Sequence, residues 1–193
     1  MADIEQVLEW QENNYLLATI IQSGLLWAIG DALCQILERP KKPFSSVRFL
    51  RHSAFGAIVY APLAYLWYPN LEKVLPGTNV WIVVCKVLAD QLIWTPPILS
   101  IMFLWASLWQ GKTLKDGFHL IRSELWKTLR INWIVWPCVQ AVNLSIMPVN
   151  YRIVLVNLVN IPWTAFLSLA SNRKNKVESQ KKAPVHMNIP STV

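Results

Sequence analysis

Five apolar stretches dominate the chain: Tyr15 to Leu37, Ser53 to Trp67, Val80 to Leu108, Ile131 to Pro148 and Ile153 to Ala170. All are too long for strands, and none alternates strictly; the longest exceed the roughly 20 residues that carry a helix across a bilayer core. Lipid offers no hydrogen bonds, so each backbone N–H and C=O must be satisfied within its own element, and helices are the consistent reading. The expected fold class is all-α, an integral membrane helical bundle of four to five membrane-embedded helices. Composition agrees. Charged residues make up 15% of the chain, against about 25% in soluble domains. That shortage argues against an ordinary soluble enzyme, a disordered chain and a disulfide-stapled secreted module. Eleven tryptophans suit a membrane–water belt, with Trp10, Trp67, Trp109, Trp126 and Trp133 near predicted helix ends.

The charges that remain are placed unevenly. Lys and Arg number 18 and Asp and Glu 11, a net +7. Basic residues collect in 38–52, in 109–130 and after Ser171, whereas 1–14 is acidic and 69–79 nearly neutral. With five crossings, the three basic segments share one side, as the positive-inside rule expects; with four, the tail changes sides and the bias weakens. The connection 109–130 also reads as an interfacial amphipathic helix over about 113–129, with Phe118, Ile121, Leu125 and Leu129 on one face. The expected organisation is an acidic segment 1–14, a membrane domain 15–170 with helices at about 15–37, 53–67, 80–108, 131–148 and 153–170, and a basic disordered tail 171–193. The acidic start lacks the basic region of a cleavable targeting segment, so an organelle address is expected to be internal.

Reactive-site signals are missing. Cys34, Cys85 and Cys138 are far apart, and His52, His119 and His186 have no matching ligands, so no metal or cofactor is expected. No GxSxG, Walker lysine loop, GxGxxG or HExxH occurs, and the chain reads as a non-enzyme.

Polar residues inside the apolar stretches carry the functional signal, because ionisable groups in a membrane face a bundle interior or a water-filled cavity. Gly24, Ala28, Asp31 and Gln35 share one helix face. Lys86 and Asp90 are spaced to pair along a helix, and Gln91 follows. Asn132, Trp136, Gln140 and Asn143 form another face, and Asn157, Asn160, Thr164 and Ser168 a further one. Arg152 stands at the entry of the last stretch, within reach of a headgroup, Asp31 or Asp90. One reading is interhelical glue, at roughly 0.6–2 kcal/mol per hydrogen bond. The other is a polar pathway for solutes or ions. Pro62, Pro96, Pro97, Pro137 and Pro162 free backbone carbonyls that either line a cavity or simply accompany kinks.

The run Asn132-Trp133, Trp136-Pro137, Gln140, Asn143, Pro148, Arg152, Trp163 and Phe166-Leu167-Ser168 resembles the signature of the Mpv17/PMP22 family. Gly30-Asp31 with Gln35, Pro62 with Trp67-Tyr68 and Leu71, Pro76-Gly77, and Asp90-Gln91 before Pro96 extend the match over about 15–170. Ala61-Pro62, Asn143-Leu144 and Trp163-Thr164 depart from the usual pattern, and LWQGK at Leu108 to Lys112 looks most like the Mpv-like branch. The resemblance implies a small multi-pass protein of the mitochondrial inner membrane or, alternatively, the peroxisomal membrane. It further implies a weakly selective channel for small solutes or ions, tied to membrane potential, reactive oxygen handling and mitochondrial DNA maintenance. A non-conducting scaffold is the alternative. The expected partners are the lipid bilayer, small solutes or ions and a second copy of the chain, with no direct nucleic acid contact; DNA binding by the basic tail is the weakest reading.

Overall fold

The computed structural model describes residues 6, 9–11, 13–38 and 43–163. The tail 171–193, most of segment 1–14, and Thr164 and Ser168 of the last polar face lie outside the described residues. Helix α1 is Tyr15–Glu38. Helix α2 runs without a break through Ser46–Ala54, a π-helical turn Phe55–Tyr60 and Ala61–Val74. Helix α3 does the same through Val80–Ala89, a π-helical turn Asp90–Trp94 and Thr95–Leu108. Helix α4 is Leu114–Ile146, and α5 begins at 149 and is described to 163. The described residues contain no strand.

Local chemistry explains most boundaries. Ser45 caps α2 by accepting from the Arg48 amide, and Asn79 caps α3 by accepting from the Trp81 amide. Thr113 and Asp116 form a reciprocal capping box at the start of α4. Gly77 (φ 98°) and Gly111 (φ 71°) supply the left-handed backbone that the turns before α3 and α4 require. Pro62 and Pro96 each follow a local widening of the helix. Each π turn ends just before a proline, Pro62 or Pro96. The Ala61 amide bonds the Gly56 carbonyl and the Thr95 amide the Asp90 carbonyl, both five residues back. The wider turn absorbs the missing proline donor, so neither helix breaks.

Two expected boundaries are corrected. The interfacial helix at 113–129 and the stretch 131–148 are one helix of 33 residues. The basic residues Lys127 and Arg130 do not end it, because they sit on its outer face while Leu129 and Asn132 continue the buried one. At 1.5 Å per residue it is about 50 Å long, beyond the roughly 30 Å of a bilayer core. The 53–67 stretch likewise sits within a longer helix that starts at Ser46 and ends at Val74.

The helices close into a ring. Asp31 meets Arg48 while Tyr15 meets Tyr65, so α1 and α2 run antiparallel. Trp105 reaches Arg51 while Lys86 reaches Glu72, which sets α3 against α2. Asn132 bonds Gln91 and Gln140 bonds Asp90 across α3 and α4. Trp136 packs on Trp163 and Arg152 reaches the Leu144 carbonyl across α4 and α5. Finally Asn157 bonds Ser23, and Ile161 abuts Gly30, between α5 and α1. An odd number of alternating helices forces the closing pair, α5 and α1, to run parallel. Polarity is inverted relative to a soluble globule: Ile134 is 75% exposed and Ile58 66%, whereas Asp90 is 1% and Lys86 0%. A chain in water would hide the former and solvate the latter. Helices α1 and α3 are each long and apolar enough to cross a membrane.

Candidate functional site: a polar cavity inside the helical ring

Asn157 of the last polar face is buried, whereas Asn160 is half-buried; Asp31, Gln35, Lys86, Asp90, Gln91, Asn132, Trp136, Gln140, Asn143 and Arg152 are all buried. The structure sorts them into three centres rather than one.

The first centre lies where α1 ends and α2 begins. Arg48 bridges two carboxylates, with Nε 2.7 Å from Asp31 Oδ1 and Nη1 3.0 Å from Glu38 Oε2. Gln35 donates to Asp31 at 2.7 Å and exchanges bonds with the Ser45 backbone, which ties the α1–α2 turn to the same carboxylate. His52 Nδ1 sits 2.9 Å from the Arg48 carbonyl and therefore carries its proton there. Burial pushes the His52 pKa down, outweighing the pull of Asp31, so the ring is neutral near pH 7.

The second centre is at mid-depth. Asp90 accepts from Trp67 Nε1 at 3.3 Å, Gln91 Nε2 at 2.8 Å and Gln140 Nε2 at 2.9 Å. Gln140 also donates to the Tyr68 hydroxyl at 3.2 Å and accepts from Asn143 at 3.0 Å. Asn132 donates to Gln91 at 2.9 Å. The π turn of α3 places the adjacent residues Asp90 and Gln91 on the interior together.

The third centre is at the opposite end from the first. Lys86 Nζ contacts Glu72 Oε2 at 2.8 Å and the Gly77 carbonyl at 2.7 Å. Arg152 Nη1 contacts the same Glu72 oxygen at 2.6 Å and also reaches the carbonyls of Met147 and Leu144. This overturns two expectations. Lys86 pairs with Glu72, not Asp90, because Glu72 lies directly across on α2. Arg152 likewise finds Glu72 rather than Asp90, which lies at mid-depth, or Asp31, which lies at the opposite end.

Between the first and second centres lies a cavity of about 470 Å³, to which every helix contributes. Glu38, Arg48 and His52 line one end; Tyr68, Asp90, Gln91 and Gln140 line the other. Trp27, Phe55, Tyr60, Trp94, Trp136 and Trp163 supply aromatic walls. Asp31, Gln35, Lys86, Asn143 and Arg152 do not line it; Asp31 and Gln35 hold Arg48, Asn143 holds Gln140, and the other two seal the far end. Tyr60 Oη and Trp136 Nε1 are buried without a hydrogen-bond partner of acceptable geometry. Among the described residues no group of His, Cys, Asp or Glu is arranged to hold a metal ion.

The sequence reading did not single out Glu38, Arg48, Tyr68 or Glu72. Glu38 had a signal, since it extends the 24, 28, 31, 35 face by three residues. Arg48 and Glu72 sit in segments that read as connections, and Tyr68 figures only in the family resemblance.

The 107–168 segment matches the model of the Mpv17 / PMP22 family. Protein SYM1 of Kluyveromyces lactis is 33% identical over 86% of this chain and 86% of its own length. The chain belongs to the Mpv17 / PMP22 family. Another member of this family, Protein SYM1 of Saccharomyces cerevisiae, is 31% identical over 86% of this chain and 87% of its own. Peroxisomal membrane protein 2 of Bos taurus is 30% identical over 76% and 78%. No solved structure matches the chain. The Mpv17 / PMP22 match over 107–168 falls on α4 and α5, the helices that carry Asn132, Trp136, Gln140, Asn143 and Arg152. The family is one of organelle membrane proteins, in accord with the inverted polarity of the bundle.

Proposed function

We propose that this protein is a passage for small solutes or ions across an organelle membrane, held here in a closed state. One observation carries the reading: a cavity of about 470 Å³ to which every helix of a closed ring contributes, with charged and amide groups at membrane depth. The Arg48 bridge narrows one end, and the Glu72–Lys86–Arg152 cluster closes the other. No bond is made or broken in this reading; the protein is not an enzyme and needs no cofactor. Reconstitution in planar bilayers tests it. The expected outcome is conductance above the lipid background that changes in size or selectivity with Asp90→Asn and Gln140→Leu. Conductance identical in wild type and both variants counts against this lining.

The membrane is that of the mitochondrion, its inner one, or of the peroxisome, to which the name of the bovine relative refers. The proposed effects on membrane potential, reactive oxygen handling and mitochondrial DNA maintenance would be consequences of solute flux. Imaging a C-terminally tagged chain beside organelle markers, with protease protection of the tag, tests compartment and five-crossing parity together.

A second reading, a non-conducting scaffold, draws on the fact that most polar side chains in the bundle satisfy one another. It predicts no conductance, and loss of folding when the polar faces are made apolar.

A further inference from the structure

The charge balance of the cavity is uneven. Among the described residues its lining carries three ionisable side chains, Glu38, Arg48 and Asp90, beside His52. Arg48 is engaged by Asp31 and Glu38. Lys86, one helical turn from Asp90, is engaged by Glu72 at the far end. Asp90 therefore has no cationic partner among the described residues, although it is 1% exposed. Three N–H groups solvate it, two on Oδ2 and one on Oδ1. A carboxylate has about four acceptor directions, so Oδ1 retains one. Near it lies the buried Tyr60 hydroxyl, beside that of Tyr68 but without a hydrogen bond of acceptable geometry.

We infer that the cavity is a binding site for a protonated primary amine, with the Asp90 carboxylate as its counter-charge. Each feature of the lining selects against other cations. A quaternary ammonium has no N–H to give to Asp90 Oδ1 or Tyr60 Oη. A hard metal ion prefers a shell of oxygens, whereas the donors around Asp90 are amide and indole N–H groups. A primary ammonium presents N–H groups to both free acceptors, and its positive charge is stabilised by the faces of Trp94 and Tyr60. The alkyl body then lies against Trp27, Phe55 and Trp136. A volume of about 470 Å³ falls within the range of small-molecule sites. An anion is disfavoured, because Arg48, the one Lys or Arg of the lining among the described residues, is already shared by two carboxylates.

The inference deepens the passage reading, and rests on it for the route by which an amine enters. Binding is nevertheless measurable apart from transport. The full-length chain, purified in detergent micelles at neutral pH, is titrated calorimetrically with n-butylammonium, n-butyrate and tetramethylammonium. The expected result is saturable binding of n-butylammonium, no binding of n-butyrate, and weaker binding of tetramethylammonium. Asp90→Asn is expected to weaken butylammonium binding by about tenfold or more, the loss of a charge-assisted hydrogen bond. Tyr60→Phe removes one hydroxyl and keeps the ring against Trp27 and Trp94, so it keeps the test decisive if Asp90→Asn does not fold. It is expected to weaken butylammonium severalfold and leave tetramethylammonium unchanged. Absence of butylammonium binding, equal binding of butyrate, or butylammonium affinity unaltered in every variant that folds overturns the assignment. Conductance without amine binding refutes the site and leaves the passage standing. Amine binding in a chain that does not conduct refutes the passage and leaves the site.

Discussion

Glu72 is a single anion shared by two buried cations, and the structure makes that asymmetry measurable. Lys86 is 0% exposed and Arg152 3%, and both meet the same Glu72 oxygen. In Glu72→Gln two buried charges lose their counter-ion at once. Breaking a buried pair by removing one partner costs about 3–5 kcal/mol. The Glu72 side chain is itself 27% exposed, so water reaches it, and the lower end, about 3 kcal/mol, is the figure to expect. In Lys86→Met, by contrast, Glu72 keeps Arg152, and the chief loss is the bond to the Gly77 carbonyl, about 1–2 kcal/mol. For a chain of this length the two correspond to falls of roughly 6–12 °C and 2–8 °C in midpoint. Thermal unfolding in detergent micelles, followed by tryptophan fluorescence and circular dichroism, gives both numbers under one condition. The double variant is expected to fall short of the sum, because only Arg152 then remains uncompensated. If Lys86→Met is as harmful as Glu72→Gln, the cluster is not organised around one shared anion and the reasoning fails.

The same cluster sets a pH dependence. Burial alone would raise the Glu72 pKa, but the hydrogen bonds from Lys86 and Arg152 outweigh it and hold the carboxyl below the ordinary glutamate value. Its contribution is therefore complete above about pH 4.3 and is lost as pH falls through the lower folded-state value. Acid titration should show that loss in wild type and not in Glu72→Gln. Gly56→Ala places a methyl 2.7 Å from Trp27 Cγ and 2.8 Å from the Ser23 carbonyl. Since one of these is backbone, α1 and α2 must part, at about 1–3 kcal/mol. Gly30→Ala meets nothing closer than 3.7 Å and should be neutral or stabilising in the same melts. Arg48→Met leaves the buried carboxylates of Asp31 and Glu38 facing each other without their bridge. It should lower the midpoint more than Lys86→Met, by about 3 kcal/mol or more; an equal or smaller effect would remove Arg48 from its bridging role.

The polar faces were legible in the sequence because a period of 3.6 residues shows wherever one side of a helix differs from the other. Asp31 with Gln35, and Asn132 with Gln140, were read from spacing alone and are buried together. Partners across helices were not legible. Lys86 and Asp90 satisfy the spacing of an intrahelical pair, yet Glu72, 14 residues away in sequence, competes successfully for Lys86. Spacing describes one helix; ion pairing is decided by whichever helix stands opposite. The fusion of 113–129 with 131–148 was hidden for a related reason. Lys127 and Arg130 look like the edge of a membrane segment, but a helix that outgrows the bilayer carries its inner face straight past such an edge. The π turns left no periodic signal, being only one residue wider than the α turns around them.

Those two turns bear on how genes for such helices can change length. A residue deleted from regular α-helix turns everything beyond it by about 100° and parts a buried face from its partners. In α2 and α3 one place in each helix escapes this rule. A π turn carries one residue more than the α turn it replaces, so deleting a residue within 55–60 or 90–94 would restore regular α-helix with the flanking faces still aligned. In α3 Lys86 would still face Glu72 while Thr95 and Met102 face the cavity. Single-codon deletions should therefore be tolerated at these two places far better than elsewhere along the same helices.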